Sequence, residues 1–338
     1  MDRKLFYLGI VENYAQPLSS LQYMGKDDNR RGCFFYPYWR GETDFVNSRW
    51  QEAVLTLAWL CKKNKSLKER VVSGIDFWCK IQNKDGSFPE VGRGDKSFSA
   101  TAFTSLAVSE AIERVGSRDV WFDSLERAGK WLIRNDEKIL INQEAGAALA
   151  LLSLSKVLGN ERYLRGSEKK LDIVLKNQSS HGFYKEKCGC DIGYSSLTLE
   201  MLGKYYIQKP SQDILNSVER LIDFFNKTGK VKNSRGTDWI IVDGFEIFSK
   251  FLPGSKKSVK KIFLSGLYNP LHLPDERHIC TDLYRYCWSH DNCGFKMDVK
   301  PIQFPSPRKG MVKKSGILFL RRRGIHKFRK LKYMWCLK

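Results

Sequence analysis

Gln82-Asn83-Lys84-Asp85-Gly86-Ser87-Phe88-Pro89-Glu90 leads into Ser97-Phe98-Ser99-Ala100-Thr101. Gln178-Ser179-Ser180-His181-Gly182-Phe183-Tyr184-Lys185-Glu186 leads in the same way into Gly193-Tyr194-Ser195-Ser196-Leu197. Setting Gly86 on Gly182, 96 positions later, also sets Glu90 on Glu186 and Phe98 on Tyr194. A polar loop with a glycine that runs twice into an apolar helical pattern marks a helical repeat, and such repeats gather polar groups on one rim.

Outward from these loops the apolar spacing is helical. Leu67, Val71, Ile75, Trp78 and Gln82 form one stripe, and Leu125, Ala128, Trp131 and Leu132 form its counterpart further on. The pattern predicts helices over 48–62, 66–82, 97–115, 119–134, 143–159, 161–177, 193–207, 211–226, 239–251 and 256–266. The starts at Arg49, Phe98, Gln143, Tyr194 and Asp243 are separated by 49, 45, 51 and 49 residues, which describes five hairpins of similar length. Ala53 to Leu60, Ala145 to Leu154 and Leu197 to Leu202 are apolar nearly all round, as an inner layer requires, while the alternate helices are one-sided. The expected fold is all-α, an (α/α)n toroid of about five hairpins with a short irregular, partly β C-terminal extension. An open superhelix is the competing arrangement, but these units are too long for TPR repeats and the long polar loops suit a toroid.

The expected organisation is an N-terminal extension over 1–40, the toroid over 41–268, a linker across its rim over 269–307, and a basic tail over 308–338. Prolines at 270, 274, 301, 305 and 307 punctuate the linker. Ser315-Gly316-Ile317-Leu318-Phe319-Leu320 then reads as a strand, and one strand makes no sheet, so the end resembles the opening of a truncated β-domain.

Composition narrows the class. The 338 residues are 42% apolar and 13% aromatic, enough for a large core. No apolar run reaches the roughly 18 residues that a membrane span needs, and no signal peptide is seen at the N-terminus, so the expected location is cytoplasmic. Nine cysteines, an odd number, read as free thiols, and no metal or cofactor is called for. The net charge is +21; twelve Lys or Arg and no acid fall between Arg308 and Lys338. The remaining basic surplus favours an anionic ligand. The tail, with Phe328, Tyr333 and Trp335 among its cations, has three readings: contact with nucleic acid or an anionic membrane, a solvated charge run, or the product of a reading-frame change.

The turn Gln82-x-x-x-Gly86-x-Phe88 resembles that of αα-toroid enzymes such as terpene cyclases, but the aspartate clusters of those cyclases are absent. Asp191 to Leu199, Leu273 to His278 and Ser315 to Arg322 bring the chain closer to polysaccharide lyases of the heparinase and alginate-lyase type, which it resembles from about residue 40 to 320. The resemblance implies metal-independent β-elimination on an acidic, uronate-containing polysaccharide or oligosaccharide. It also implies that an Asn, usually followed by His, neutralises the substrate carboxylate, while a Tyr some fifty residues later exchanges the proton. Asn142 and Tyr194 match at a separation of 52, whereas Gln143 stands where His is expected and so removes a proton carrier. His278 and Arg277 are the candidates to assist, Arg277 as a bidentate carboxylate clamp.

The same residue types allow plainer roles. Asn142 could be a helix N-cap, and Tyr194 could pack as Phe98 does. Glu90 and Glu186 could serve as acid and base in glycoside hydrolysis or could tie their loops to an Arg or a backbone amide. His181 and Asp191 lie in aromatic-rich rim segments, and Trp50 and Trp239, with Tyr38 and Trp39, could stack on sugar rings or fill the core. The alternatives to a lyase are therefore a glycoside hydrolase on the same toroid and a non-catalytic toroid that binds glycan or protein.

Overall fold

The computed structural model describes residues 1–186, 189–228, 239–265 and 275–299. Among them the helices are α1 (Arg3–Leu21), α2 (Tyr36–Trp39), α3 (Ala53–Leu60), α4 (Lys68–Lys80), α5 (Phe98–Val115), α6 (Asp119–Arg134) and α7 (Ile141–Leu158). They continue as α8 (Glu161–Lys176), α9 (Ile192–Gln208), α10 (Gln212–Lys227), α11 (Asp243–Phe248), α12 (Pro253–Leu264) and α13 (Glu276–Asn292). Helix α3 is entered through a 3₁₀ turn, Ser48–Glu52. Two-residue strands β1 (Lys185–Glu186) and β2 (Gly189–Cys190) pair antiparallel just before α9.

The helices form two concentric rings. Each of α3, α5, α7, α9, α11 and α13 packs against the next, and α13 returns to α3, so the inner ring closes. Burial explains this placement: every residue of α3 is buried, and the small residues of α7 let it pack on both flanks. The outer helices bury a single stripe, as with Ile214, Val218, Leu221, Ile222 and Phe225 of α10. No helix among the described residues is long and apolar enough to cross a membrane.

Five hairpins follow the sequence periodicity, and a sixth is made from the two ends of the chain. Helix α1 lies in the stretch read as an extension and α13 in the stretch read as a linker, yet the two pack together and complete the rings. Buried Arg3 bonds Glu246 of α11 through Nη2 at 3.0 Å, and Tyr7 Oη donates to the same carboxylate at 2.7 Å. Phe6 and Tyr7 meet Phe263 of α12 edge-on, closing the outer layer as well.

The doubled loop is an anchor between one outer helix and the next. Gln82 Nε2 donates to the carbonyls of Gly86 and Ser124, and Arg127 donates to its Oε1. Gln178 repeats this with Gly182, Ser217 and Arg220. Gly86 and Gly182 have φ of 96° and 97°, and a β-carbon on either would strike the backbone carbonyl of Arg127 or Arg220. The structure adds a third copy: Gln22 bonds the carbonyls of Gly32 and Arg70, Arg70 reaches its Oε1, and Gly32 at φ 93° faces Ser73. In all three the second residue after the glycine, Phe34, Phe88 or Tyr184, is fully buried.

The described cysteines, at 33, 61, 79, 190, 280, 287 and 293, are free thiols. The strand read at 316–320, the basic tail and the proline-rich part of the linker lie outside the described residues.

Candidate functional site

The inner helices run in one direction, so their N-termini and the long loops before them share one rim. Ser48 N–H donates to the Pro89 carbonyl at 3.0 Å, and Arg277 at the start of α13 bonds Glu90 before α5 at 3.2 Å. At the other end Trp59 of α3 meets Asp291 of α13 at 2.9 Å. The candidate residues fall into two clusters on the N-terminal rim.

The first cluster spans α7, α9 and the segment before α11. Asn142 is buried in the first turn of α7, whose N-cap is Leu140 without a side-chain cap, so Asn142 is not the cap. Its backbone N–H and Nδ2 both donate to Glu186 Oε1, at 3.3 and 3.0 Å. The β1–β2 hairpin holds Glu186 there, and it leads directly to Asp191, the N-cap of α9, which accepts from the Tyr194 N–H at 3.0 Å. The Tyr194 ring is half-buried and stands edge-on to Trp239, 5.5 Å between centroids. Gly193 makes this possible, since a β-carbon there would press on the indole at 2.9 Å. Gln143 is half-buried, and its side chain makes no hydrogen bond to another described residue.

The second cluster spans α3, α5 and α13. Glu90 Oε2 accepts from Ser97 and Ser99, both at 2.6 Å, and Oε1 accepts from Arg277. Burial raises the Glu90 carboxyl, but the charge of Arg49, the two serines and Arg277 outweigh it and hold the group below the usual range. Asp275 caps α13 and bonds His278 Nδ1 at 2.7 Å. Burial alone would raise Asp275 as well, and the two His278 bonds bring it down.

Two readings change. Trp50 is packed in the core with Phe35 and Tyr36, at 5.2 and 5.7 Å edge-on, and offers no face to a sugar. His181 is exposed at the tip of the anchor loop, stacked on Phe183, where Gly182 rides on the backbone of outer helix α10. Arg277 pairs with Glu90, and Asp282 pairs with Arg285.

A feature missed by sequence reading occupies the toroid axis. Lys204 of α9 bridges Glu200 at 2.5 Å and Asp243 of α11 at 3.2 Å, while Arg285 of α13 joins Glu200 at 2.8 Å to Asp282. Arg49 pairs with Glu52 close by. Apart from the half-buried Arg49 these groups are buried, and charges in such a place persist only when paired. Burial and the Glu200 carboxylate push Asp243 up to about 7 against the pull of Lys204 and Arg285. Polar residues on apolar helices were the available signal: Glu200 and Lys204 are four apart and share one face.

Comparison with solved structures shows the same fold. A glycosyl hydrolase family 88 protein from Bacteroides vulgatus aligns with a TM-score of 0.56 at 10% identity, covering 85% of this chain and 99% of its own. A polysaccharide lyase aligns at 0.54 with 8% identity, over 86% and 98% of the two chains. Cellobiose 2-epimerase from Bacillus thermoamylovorans aligns at 0.50 with 13% identity, over 71% and 86%. A sequence comparison with curated proteins gives no match. At these identities the likeness shows the fold, an αα-toroid. The model of the Ulvan lyase N-terminal domain matches residues 11–239, well over half of the chain, which therefore belongs to that family.

Proposed function

We propose that the N-terminal rim is the substrate mouth of a lyase that cleaves a uronate polysaccharide by metal-independent β-elimination. The observation that carries this reading is the Asn142–Glu186–Tyr194 linkage. Asn142 directs its amide at a carboxylate oxygen, one Nδ2 proton remains for a substrate carboxylate, and the same hairpin sets Tyr194 at the start of the neighbouring helix. Gln143 supplies a second amide beside it. In the reaction the C5–H and C4–O bonds break and C4=C5 forms. Tyr194 enters as the phenolate, takes the C5 proton and, as the phenol, passes it to the leaving oxygen, while the amides hold the charge that builds on the carboxylate. Arg277 and His278 line the adjoining part of the mouth, and Trp239 fixes the Tyr194 ring.

Glycoside hydrolysis is less well supported by the same geometry. A hydrolase needs a protonated carboxyl as general acid, and Glu90 is held ionised by Arg49 and its serines. A panel of uronate polymers, headed by ulvan, incubated with the full chain tests the proposal. Lysis gives ultraviolet absorbance from the unsaturated product. Reducing ends that appear without that absorbance would transfer the protein to the hydrolases.

A further inference from the structure

We propose that Arg40 forms a flanking subsite for an oxyanion substituent, a carboxylate or sulfate, on the polysaccharide that enters the N-terminal rim. The inference deepens the function proposed above and rests on the rim being the mouth.

Helix α2 sits at the rim on the ends of two outer helices. The Trp39 indole N–H donates to the carbonyl of Leu21, the last residue of α1, at 3.1 Å. Tyr38 lies 6.1 Å from Phe77 near the end of α4. The chain then descends from α2 to Ser48, which bonds the Pro89 carbonyl next to Glu90, so Arg40 and the second rim cluster stand on neighbouring loops.

The Arg40 guanidinium lies over two rings, 4.9 Å from the Tyr36 centroid and 5.1 Å from that of Trp39. It is exposed and makes no ion pair among the described residues, although Glu42 and Asp44 lie on the same loop. Arg30 donates to the Trp39 carbonyl at 3.0 Å from the other side and is already paired with Asp27. A guanidinium backed by aromatic faces keeps its N–H edge pointed at solvent and has little freedom left to lose when it binds. That edge matches a two-oxygen anion, the group that recurs along an acidic polysaccharide.

Binding to the full chain, measured by calorimetry, tests the subsite without requiring turnover. The probes are a polyglucuronate carrying carboxylate only, sulfated ulvan and a neutral glucan. Arg40→Ala is expected to weaken binding of the anionic polymers about tenfold. Arg40→Lys should recover part of the loss, because an ammonium keeps the charge but not the fork, and the melting temperature should stay that of the parent protein. A loss confined to ulvan assigns sulfate as the ligand, and a loss with both polymers assigns carboxylate. Parent-like affinity of Arg40→Ala for both overturns the subsite while leaving the lyase reading intact. A parent protein that neither binds nor cleaves either anionic polymer overturns both.

Discussion

The two copies of the anchor loop share a frame and differ in what they present to the rim. In each, a glutamine and an arginine tie a left-handed glycine to the next outer helix. Beyond that frame, Glu90 is locked between serines and Arg277 and leads to Phe98, which packs against Trp131. Glu186 instead holds the Asn142 amide and leads to Tyr194, whose hydroxyl-bearing ring stands against Trp239 on the rim. Where repetition is kept it serves the fold, and where it lapses a proton-carrying group takes the place of an apolar one. Gly203 and Gly244 make the same distinction from the other side: they have ordinary backbone angles and serve close packing between α9 and α11.

If the shared frame is structural, breaking it should cost stability equally in both copies. Gly86→Ala and Gly182→Ala each force a β-carbon onto a carbonyl at a backbone angle that disfavours it, so each should lose about 2 kcal/mol or more. Chemical denaturation measures this, and Gly32→Ala should behave alike because it belongs to the third copy. Gln82→Ala and Gln178→Ala come next, at about 1–3 kcal/mol, because each strands two carbonyls and an arginine. A large difference between the copies in either series would break the equivalence.

The axis of the toroid should respond to pH in a way the rim does not. Asp243 has a folded pKa of about 7, above its unfolded value, so the folded state holds its proton more tightly. Stability from this group is therefore fully present below the usual carboxylate range and is lost as pH rises through about 7. Melting profiles of Asp243→Asn should lack that decline, and profiles parallel to those of the parent would contradict the assignment. Glu90 has the opposite sign. Its pKa is depressed, so its contribution is present above the unfolded value of about 4.3 and disappears as pH falls through the folded value. Glu90→Gln should thus cost the least of these changes, about 1 kcal/mol near neutrality, with the gap closing in acid.

The helices most legible in the sequence are those with uncomplicated apolar faces. Helix α6 spans the predicted residues, and α5, α7 and α10 come within two of them, because their stripes meet a uniform core. Helix α1 was legible in principle, since Phe6, Tyr7, Ile10, Val11, Tyr14 and Leu18 recur at helical spacing, but Pro17 and the charged first turn obscured it. Helix α13 was hidden for a different reason. Asp282 and Arg285 interrupt its apolar pattern, and only their partners on α9 and within α13 make such residues suitable for an interior. The third anchor escaped because ten residues, not four, separate Gln22 from Gly32. At the rim, the pairing of Asn142 with Glu186 joins residues 44 apart and depends on the hairpin register, which no local spacing encodes.

The claim that the second copy carries chemistry and the first carries packing rests on one hydroxyl. The rate at which Tyr194→Phe forms the unsaturated product, relative to the parent chain on a cleaved uronate polymer, tests it most directly. The account predicts a fall of about 10²–10⁴-fold with an unchanged melting temperature, the range expected when a positioned proton carrier is removed. A rate within about threefold of the parent, well short of what loss of a general acid–base costs, would contradict it.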